Sequence, residues 1–261
     1  MVGGVFTVLI LFTALFAPVI APYDPTVQNY DRVLEPPSMS HWFGTDNVGR
    51  DLLSRVIYGT QISIQAGFIS VGIALLIGIP IGLLSGYYRG FWDEYVIMRI
   101  TDAFLAFPTL VLALALAAIL GAGLGNVMLA IGLVFTPNII RLIRAEVLSQ
   151  RELEYVEAAK ASGIHDFRVL FFHIFPNSLG PILVQSTLMI AAAIIAEASL
   201  SYLGLGTPPP TPSWGAMLST GQGFLQQAPW IALFPGIFIF LTVISINLFG
   251  DGIRDAMDTK K

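Results

Sequence analysis

The stretch Ala66–Gly86, AGFISVGIALLIGIPIGLLSG, carries no charged side chain over 21 residues. A helix rises about 1.5 Å per residue, so about 20 apolar residues cross roughly 30 Å of hydrocarbon. Further apolar runs lie at about 4–21, 96–121, 126–143, 178–199 and 230–249, which makes six. Backbone polar groups in lipid must be satisfied within the segment, so each run is expected to be a helix. Transmembrane strands would be shorter and would alternate in polarity. The composition agrees: 55% of the 261 residues are hydrophobic, 11% are charged, and the mean hydropathy is +0.76, which soluble domains seldom reach. The fold class read from the chain is an all-α integral membrane protein with six transmembrane helices.

Orientation follows from the basic residues. With a cytoplasmic N-terminus, Arg89, Arg99, Arg141, Arg144, Arg151, Lys160, Arg168, Arg254, Lys260 and Lys261 lie inside, and only Arg32, Arg50 and Arg55 lie outside. That asymmetry predicts that both termini and the 144–177 loop are cytoplasmic. The net charge of −4 does not bear on this rule, which concerns the placement of Lys and Arg. In the first run, Val19-Ile20-Ala21 resembles a cleavage site, but no Lys or Arg precedes it and Pro22 would follow the cut. The run is therefore expected to remain as a span, and a longer natural N-terminus is compatible with its weak anchoring. The chain has no cysteine, so it holds neither disulfides nor thiolate metal sites.

The polar segments divide the chain further. Residues 22–65 read as an ordered outer segment, with Pro22, Pro25, Pro36 and Pro37, turn-forming Gly44 and Gly49, and a short amphipathic helix near 50–60. Composition alone assigns it no role beyond that of a surface loop. In the 144–177 loop, residues 145–162 are good helix formers, Gly163 is a stop, and His165-Asp166-Phe167-Arg168 restarts a helix. Two helices joined at a glycine elbow are expected, with Pro176 in the first turn of the fifth span. Small Ala158 and Ala159 would admit a partner's backbone and Glu157 would offer a charge, although composition alone favours an ordinary helical hairpin. The 200–229 loop, with Pro208, Pro209, Pro210 and Pro212, is too proline-rich for a continuous helix, and Trp214 and Trp230 suit an interfacial belt.

Chemistry is conspicuous by its scarcity. No Gly-x4-Gly-Lys-Ser/Thr phosphate loop is present, and Gly121-x-Gly123-x-Gly125 is better read as a tight outer turn. His41, His165 and His173 fall on both sides of the membrane, so no shared metal site is expected. Asp102 lies three residues from Arg99 and could pair with it or with another helix. Glu197, at the outer end of the fifth span, is expected to make capping or gating contacts with the 200–229 loop, with recognition of a peptide amine as an alternative. Gln185, Ser186, Thr187 and Asn247 could line a polar path or serve as helix-packing contacts.

Several segments, in order along the chain, resemble the C-type permease subunits of the dipeptide, oligopeptide and nickel ABC importers. They are His41-Trp42-Phe43-Gly44-Thr45-Asp46 with Gly49-Arg50-Asp51, Tyr155-Val156-Glu157-Ala158-Ala159, and His173-Ile174-Phe175-Pro176-Asn177. Glu197 to Gly206, Pro212-Ser213-Trp214-Gly215 and Asn247 to Gly252 complete the set. His173 and Phe175 stand where related importers more often carry Ile and Leu.

The resemblance implies one peripheral span (1–21), the outer segment 22–65, and a five-helix permease core (66–261). It further implies alternating access driven by two cytosolic ATPase subunits, a homologous second permease and an extracytoplasmic solute-binding protein. ATP and Mg would be held by the ATPases, so this chain is expected to be no enzyme and to carry no cofactor, with lipid but no nucleic acid as a further partner. The residues implied in ATPase coupling are Glu157, Ala158, Ala159, Gly163, Asp166, Phe167 and Arg168. The candidates for a translocation path or gate are Asp102, Gln185, Glu197 and Asn247. Short peptides are the expected cargo, with nickel chelates, glutathione and oligosaccharides as alternatives, and a secondary transporter that works alone is the reading from another class.

Overall fold

A computed structural model describes residues 2–258; Lys260 and Lys261, two of the inner basic residues, lie outside them. The helices in chain order are α1 (Val2–Ile20), α2 (Leu52–Tyr87), α3 (Met98–Leu105), α4 (Thr109–Leu120) and α5 (Leu124–Gln150). They continue with α6 (Glu154–Ala161), α7 (Asp166–Val169), α8 (Phe175–Tyr202), α9 (Trp214–Gln222) and α10 (Trp230–Asp258). Wider π-helical turns at Trp92–Ile97 and Leu170–Ile174 lead into α3 and α8. Five helical segments are long and apolar enough to cross a membrane, and a sixth crossing arises if α3 and α4 count as one bent span.

That bend is the main departure from the expected run 96–121. The two halves meet at 97° across Ala106-Phe107-Pro108. Proline lacks the N–H that a continuing helix needs, and its ring disfavours helical geometry at Phe107. The pair nevertheless joins opposite ends of the bundle. It starts beside Asp93, which bonds Arg144 near the end of α5, and it finishes at Gly121, ahead of α5's first residue. There the Gly123 amide donates to the Leu205 carbonyl, beyond the far end of α8. The glycine-rich stretch is a turn: Gly121 and Gly123 have φ of 90° and 141°, and the Asn126 amide donates to the carbonyls of Leu120 and Gly121.

The short helix expected near 50–60 is not separate. Asp51 caps α2 by accepting from the Ser54 amide, and the helix then runs unbroken for 36 residues, about 54 Å at about 1.5 Å per residue. Hydrocarbon accounts for only about 30 Å of that, so α2 is longer than one crossing needs. The 144–177 loop is likewise shorter than expected. Helix α5 continues to Gln150, and Asp166 already begins the segment that becomes α8, so only 151–165 stands apart, with α6 in it.

Helices α2 and α5 run parallel, as the return crossing of α3 and α4 between them requires, and form the centre of the bundle with α8. Gly78, Gly82 and Gly86, spaced one turn apart, face Ile139, Ile143 and Val147, spaced the same way. A Cβ at these glycines would come within 2.6, 2.9 and 2.7 Å of those side chains. Small residues at such spacing let membrane helices approach closely, where dispersion contacts replace a hydrophobic driving force. Hydroxyls along the spans are returned to their own helices: Thr136, Ser178 and Ser245 donate to carbonyls one turn back. Helix α1 is peripheral, packing on α10 through Gly3 beside Leu248 and leaving Leu15 and Val19 73% and 82% exposed toward lipid.

A second apolar cluster sits at the outer end and corrects the reading of Trp214. Rather than an interfacial belt residue, Trp214 is fully buried with Leu52, Val56 and Met217, and its indole N–H donates to the Val56 carbonyl at 2.9 Å. The cause is α9, a short helix within the 200–229 loop capped by Ser213, which swings the indole against Gly59 of α2.

Gly82→Leu should lower the thermal unfolding midpoint of the purified protein or abolish its accumulation, since overpacking costs about 1–3 kcal/mol or more. Gly72→Ala, which meets open space, should leave the midpoint within error; equal effects would remove the glycine seam from the account.

Candidate coupling site

The break after α5 is made by Arg151, Glu152 and Leu153. Leu153 is extended and precedes α6, whose eight residues divide into two faces. Val156 is fully buried and Ala159 nearly so, while Glu154, Glu157, Ala158 and Ala161 are exposed. Positions three and four apart share a helix face, so these four form one outward stripe. Ala158 thus lies on the open face, whereas Ala159 points into the protein; the two do not act as a pair of small outward residues, because successive positions diverge by about 100°. The Glu157 carboxylate makes no ion pair among the described residues.

The elbow follows. Gly163 has φ of +76°, a left-handed conformation that costs other residues about 1 kcal/mol or more, and its amide donates to the Lys160 carbonyl. The Ile164 amide closes the end of α6 onto the Ala159 carbonyl. His165 then caps α7 by accepting, through Nδ1, from the Phe167 amide at 3.2 Å. Asp166, Phe167 and Arg168 are all exposed, Phe167 by 57%, and they continue the open surface begun by α6.

Beneath this surface the loop is fastened to the bundle. The Tyr87 hydroxyl, at the end of α2, donates to Asp166 at 2.6 Å, and the Lys160 ammonium lies 5.2 Å from the centre of the Tyr87 ring. Arg151 donates to the Tyr87 carbonyl, and Tyr155 donates to Gln150 while accepting from Asn177. Close by, Arg144 grips Asp93 with two bonds of 2.8 and 2.7 Å, and Asp93 also accepts from Ser85. None of these anchors stands out in the sequence. Tyr87 reads there as one more aromatic at the end of an apolar run.

The four path candidates do not converge. Asp102 pairs with Arg141 of α5 at 2.6 Å rather than with Arg99, and this pair is about half exposed. Glu197 is fully buried and accepts from Ser201, one turn on in the same helix, at 2.6 Å; Ser63 of α2 lies at 3.4 Å. Its bonds go to α2 and to Ser201 in the last turn of α8, where the 200–229 segment begins. Gln185 lines a groove of about 560 Å³ with Asn177, Gly180 and Arg254, while Asn247 is half-buried on α10. Ser186 is buried with its hydroxyl bonded to the Ile182 carbonyl. Among the described residues no three His, Asp or Glu side chains group as metal ligands would.

The outer segment is built rather than loose. His41 Nδ1 lies 2.8 Å from Asp51, Asp46 binds Arg50, and Arg55 reaches the Pro25 carbonyl. Trp230 donates to the Thr45 carbonyl, and Phe43 stacks on Phe234 at 3.8 Å.

The fold is similar to that of a chain in an inward-facing crystal form of the MetNI methionine ABC transporter, with a TM-score of 0.65 and 17% identity over 78% of this chain and 97% of that one. In sequence, the chain is 47% identical to the dipeptide transport system permease protein DppC of Alkalihalophilus pseudofirmus, over 99% of this chain and 85% of that protein. It is 45% identical to the glutathione transport system permease protein GsiD of Pectobacterium atrosepticum, over 99% of this chain and 86% of that protein. Residues 1–37 match the N-terminal TM domain of oligopeptide transport permease C. Residues 78–261 match the binding-protein-dependent transport system inner membrane component, and the chain belongs to that family of membrane permeases.

Proposed function

We propose that this chain is the permease subunit of an ATP-driven importer of short peptides, working by alternating access with a second, homologous permease. The observation that carries the reading is the two-sided α6: its inner face is fixed to α2, α5 and α8, and its outer stripe of Glu154, Glu157, Ala158 and Ala161 is open. A rigid helix held this way moves with the bundle. In this proposal the stripe, with Phe167 and Arg168, docks two cytosolic ATPase subunits that hold ATP and Mg, while an extracytoplasmic binding protein delivers cargo on the opposite side. In this proposal α3 and α4 count as one of six crossings and both termini and the α6 loop are cytoplasmic, a reading supported by the basic residues gathered at that end.

The coupling set is therefore Glu157, Ala158, Gly163, Asp166, Phe167 and Arg168, with Ala159 as the inner seat of α6. Dipeptides and glutathione, a tripeptide, are the cargoes named for the relatives, and short peptides cover both. In the proposed organisation residues 1–21 form the peripheral span, 22–65 the extracytoplasmic segment, which includes the start of α2, and 66–261 the permease core.

Glu157→Lys should abolish co-purification of the ATPase subunits while leaving membrane insertion and unfolding midpoint unchanged. Uptake into liposomes by this chain alone, driven by an ion gradient and without any ATPase, would defeat the proposal and favour a secondary transporter. The two alanines separate docking from folding. Ala158→Lys should lose ATPase recruitment at unchanged thermal stability, whereas Ala159→Lys should lower the unfolding midpoint, since burying an unpaired charge costs several kcal/mol.

A further inference from the structure

Tyr87 is the last residue of α2, and one side chain there touches two other helices with chemistry of opposite sign. Its ring faces the Lys160 ammonium of α6 at 5.2 Å, within the range of a cation–π contact. Its hydroxyl donates to the carboxylate of Asp166 on α7 at 2.6 Å. The Tyr87 side chain is 8% exposed, while its two partners stand at the surface. Its backbone carbonyl accepts from Arg151, at the end of α5. Behind it, Gly86 lies against Val147, so the end of α2 cannot slide without carrying α5.

We propose that Tyr87 is a positioning residue for energy coupling: it ties the tilt of α6 to α2 and α8 together. The inference rests on the reading of α6 as the ATPase-docking helix. Helix α7 runs through the π-helical turn into α8, so the Tyr87–Asp166 bond holds the inner ends of α2 and α8 at a fixed separation. The same two helices meet again at the outer end, where Ser63 of α2 approaches Glu197 of α8 and Val56 of α2 accepts from Trp214 of α9. A displacement of α6 therefore reaches the outer cluster through two rods joined at both ends. The hydroxyl is the part of Tyr87 that senses α7, and the ring is the part that senses α6. Removing the hydroxyl alone leaves the packing of α2 on α5 intact.

The test uses the complete importer in liposomes, with this chain, its permease partner, the ATPases and the cognate binding protein purified with its endogenous ligand. Tyr87→Phe and Asp166→Ala should each reduce the binding-protein-stimulated kcat of ATP hydrolysis about fivefold or more, the usual lower range of coupling between sites. ATPase co-purification and the KM for ATP should be unchanged by Tyr87→Phe. The double variant should lose no more than the Asp166→Ala variant alone, because Tyr87→Phe then removes a bond already lost. Stimulation at the wild-type level in Tyr87→Phe, or losses that multiply in the double variant, would overturn the proposal. A Glu157→Lys importer that keeps its ATPases would instead overturn the docking reading itself, so the two failures are distinguishable.

Discussion

Close approach of α2 and α5 is the constraint on which the other features depend. In hydrocarbon, two helices gain little by hiding apolar surface from one another, so contact must come from fit and from dispersion. Gly78, Gly82 and Gly86 provide that fit against three branched side chains, and Gly132 repeats it in reverse against Ile73. With the two backbones fixed, α8 has a ready groove, the Asp93–Arg144 pair finds its geometry, and Tyr87 is brought within reach of Asp166. The seam is apolar throughout and yet determines where the polar anchors meet.

Polar groups are then segregated to the two ends of the rods. At the inner end they connect the 151–165 loop to the bundle, and at the outer end they order residues 22–51 around the start of α2. Between the ends, side-chain hydroxyls satisfy their own helices and leave few polar groups to face lipid. Glu197 stands out as a carboxylate buried between α2 and α8, where Ser63 and Ser201 donate to it. Intramembrane acids of this kind are costly and usually serve a purpose. Its position beneath α9 ties it to the outer closure of the bundle.

Much of the architecture could be read from the chain because the spans are long and their hydropathy is unambiguous. What escaped was information that only packing supplies. Pro18, Pro80, Pro137, Pro181 and Pro235 all lie inside continuous helices, whereas Pro108 ends one, and nothing in the local sequence separates the cases. Trp214 follows a proline-rich stretch and looks interfacial, until α9 turns it inward. Glu157-Ala158-Ala159 announces a helix with small residues, but the phase that sends Ala159 inward is set by the break at Leu153. Asp102 had a basic neighbour at helical spacing and took a distant one instead, because the bend after α3 presents it to α5. The elbow at Gly163 was legible for the opposite reason: a left-handed turn has few residues that suit it.

The bonds that complete the outer segment span nearly the whole length of the polypeptide. Thr45 accepts from Trp230, and Phe43 rests on Phe234, so residues made among the first wait for partners made among the last. Until α10 is in place the Thr45 carbonyl lacks its Trp230 donor and the Phe43 ring lacks its stacking partner, so a chain that stops short of Trp230 cannot complete the segment.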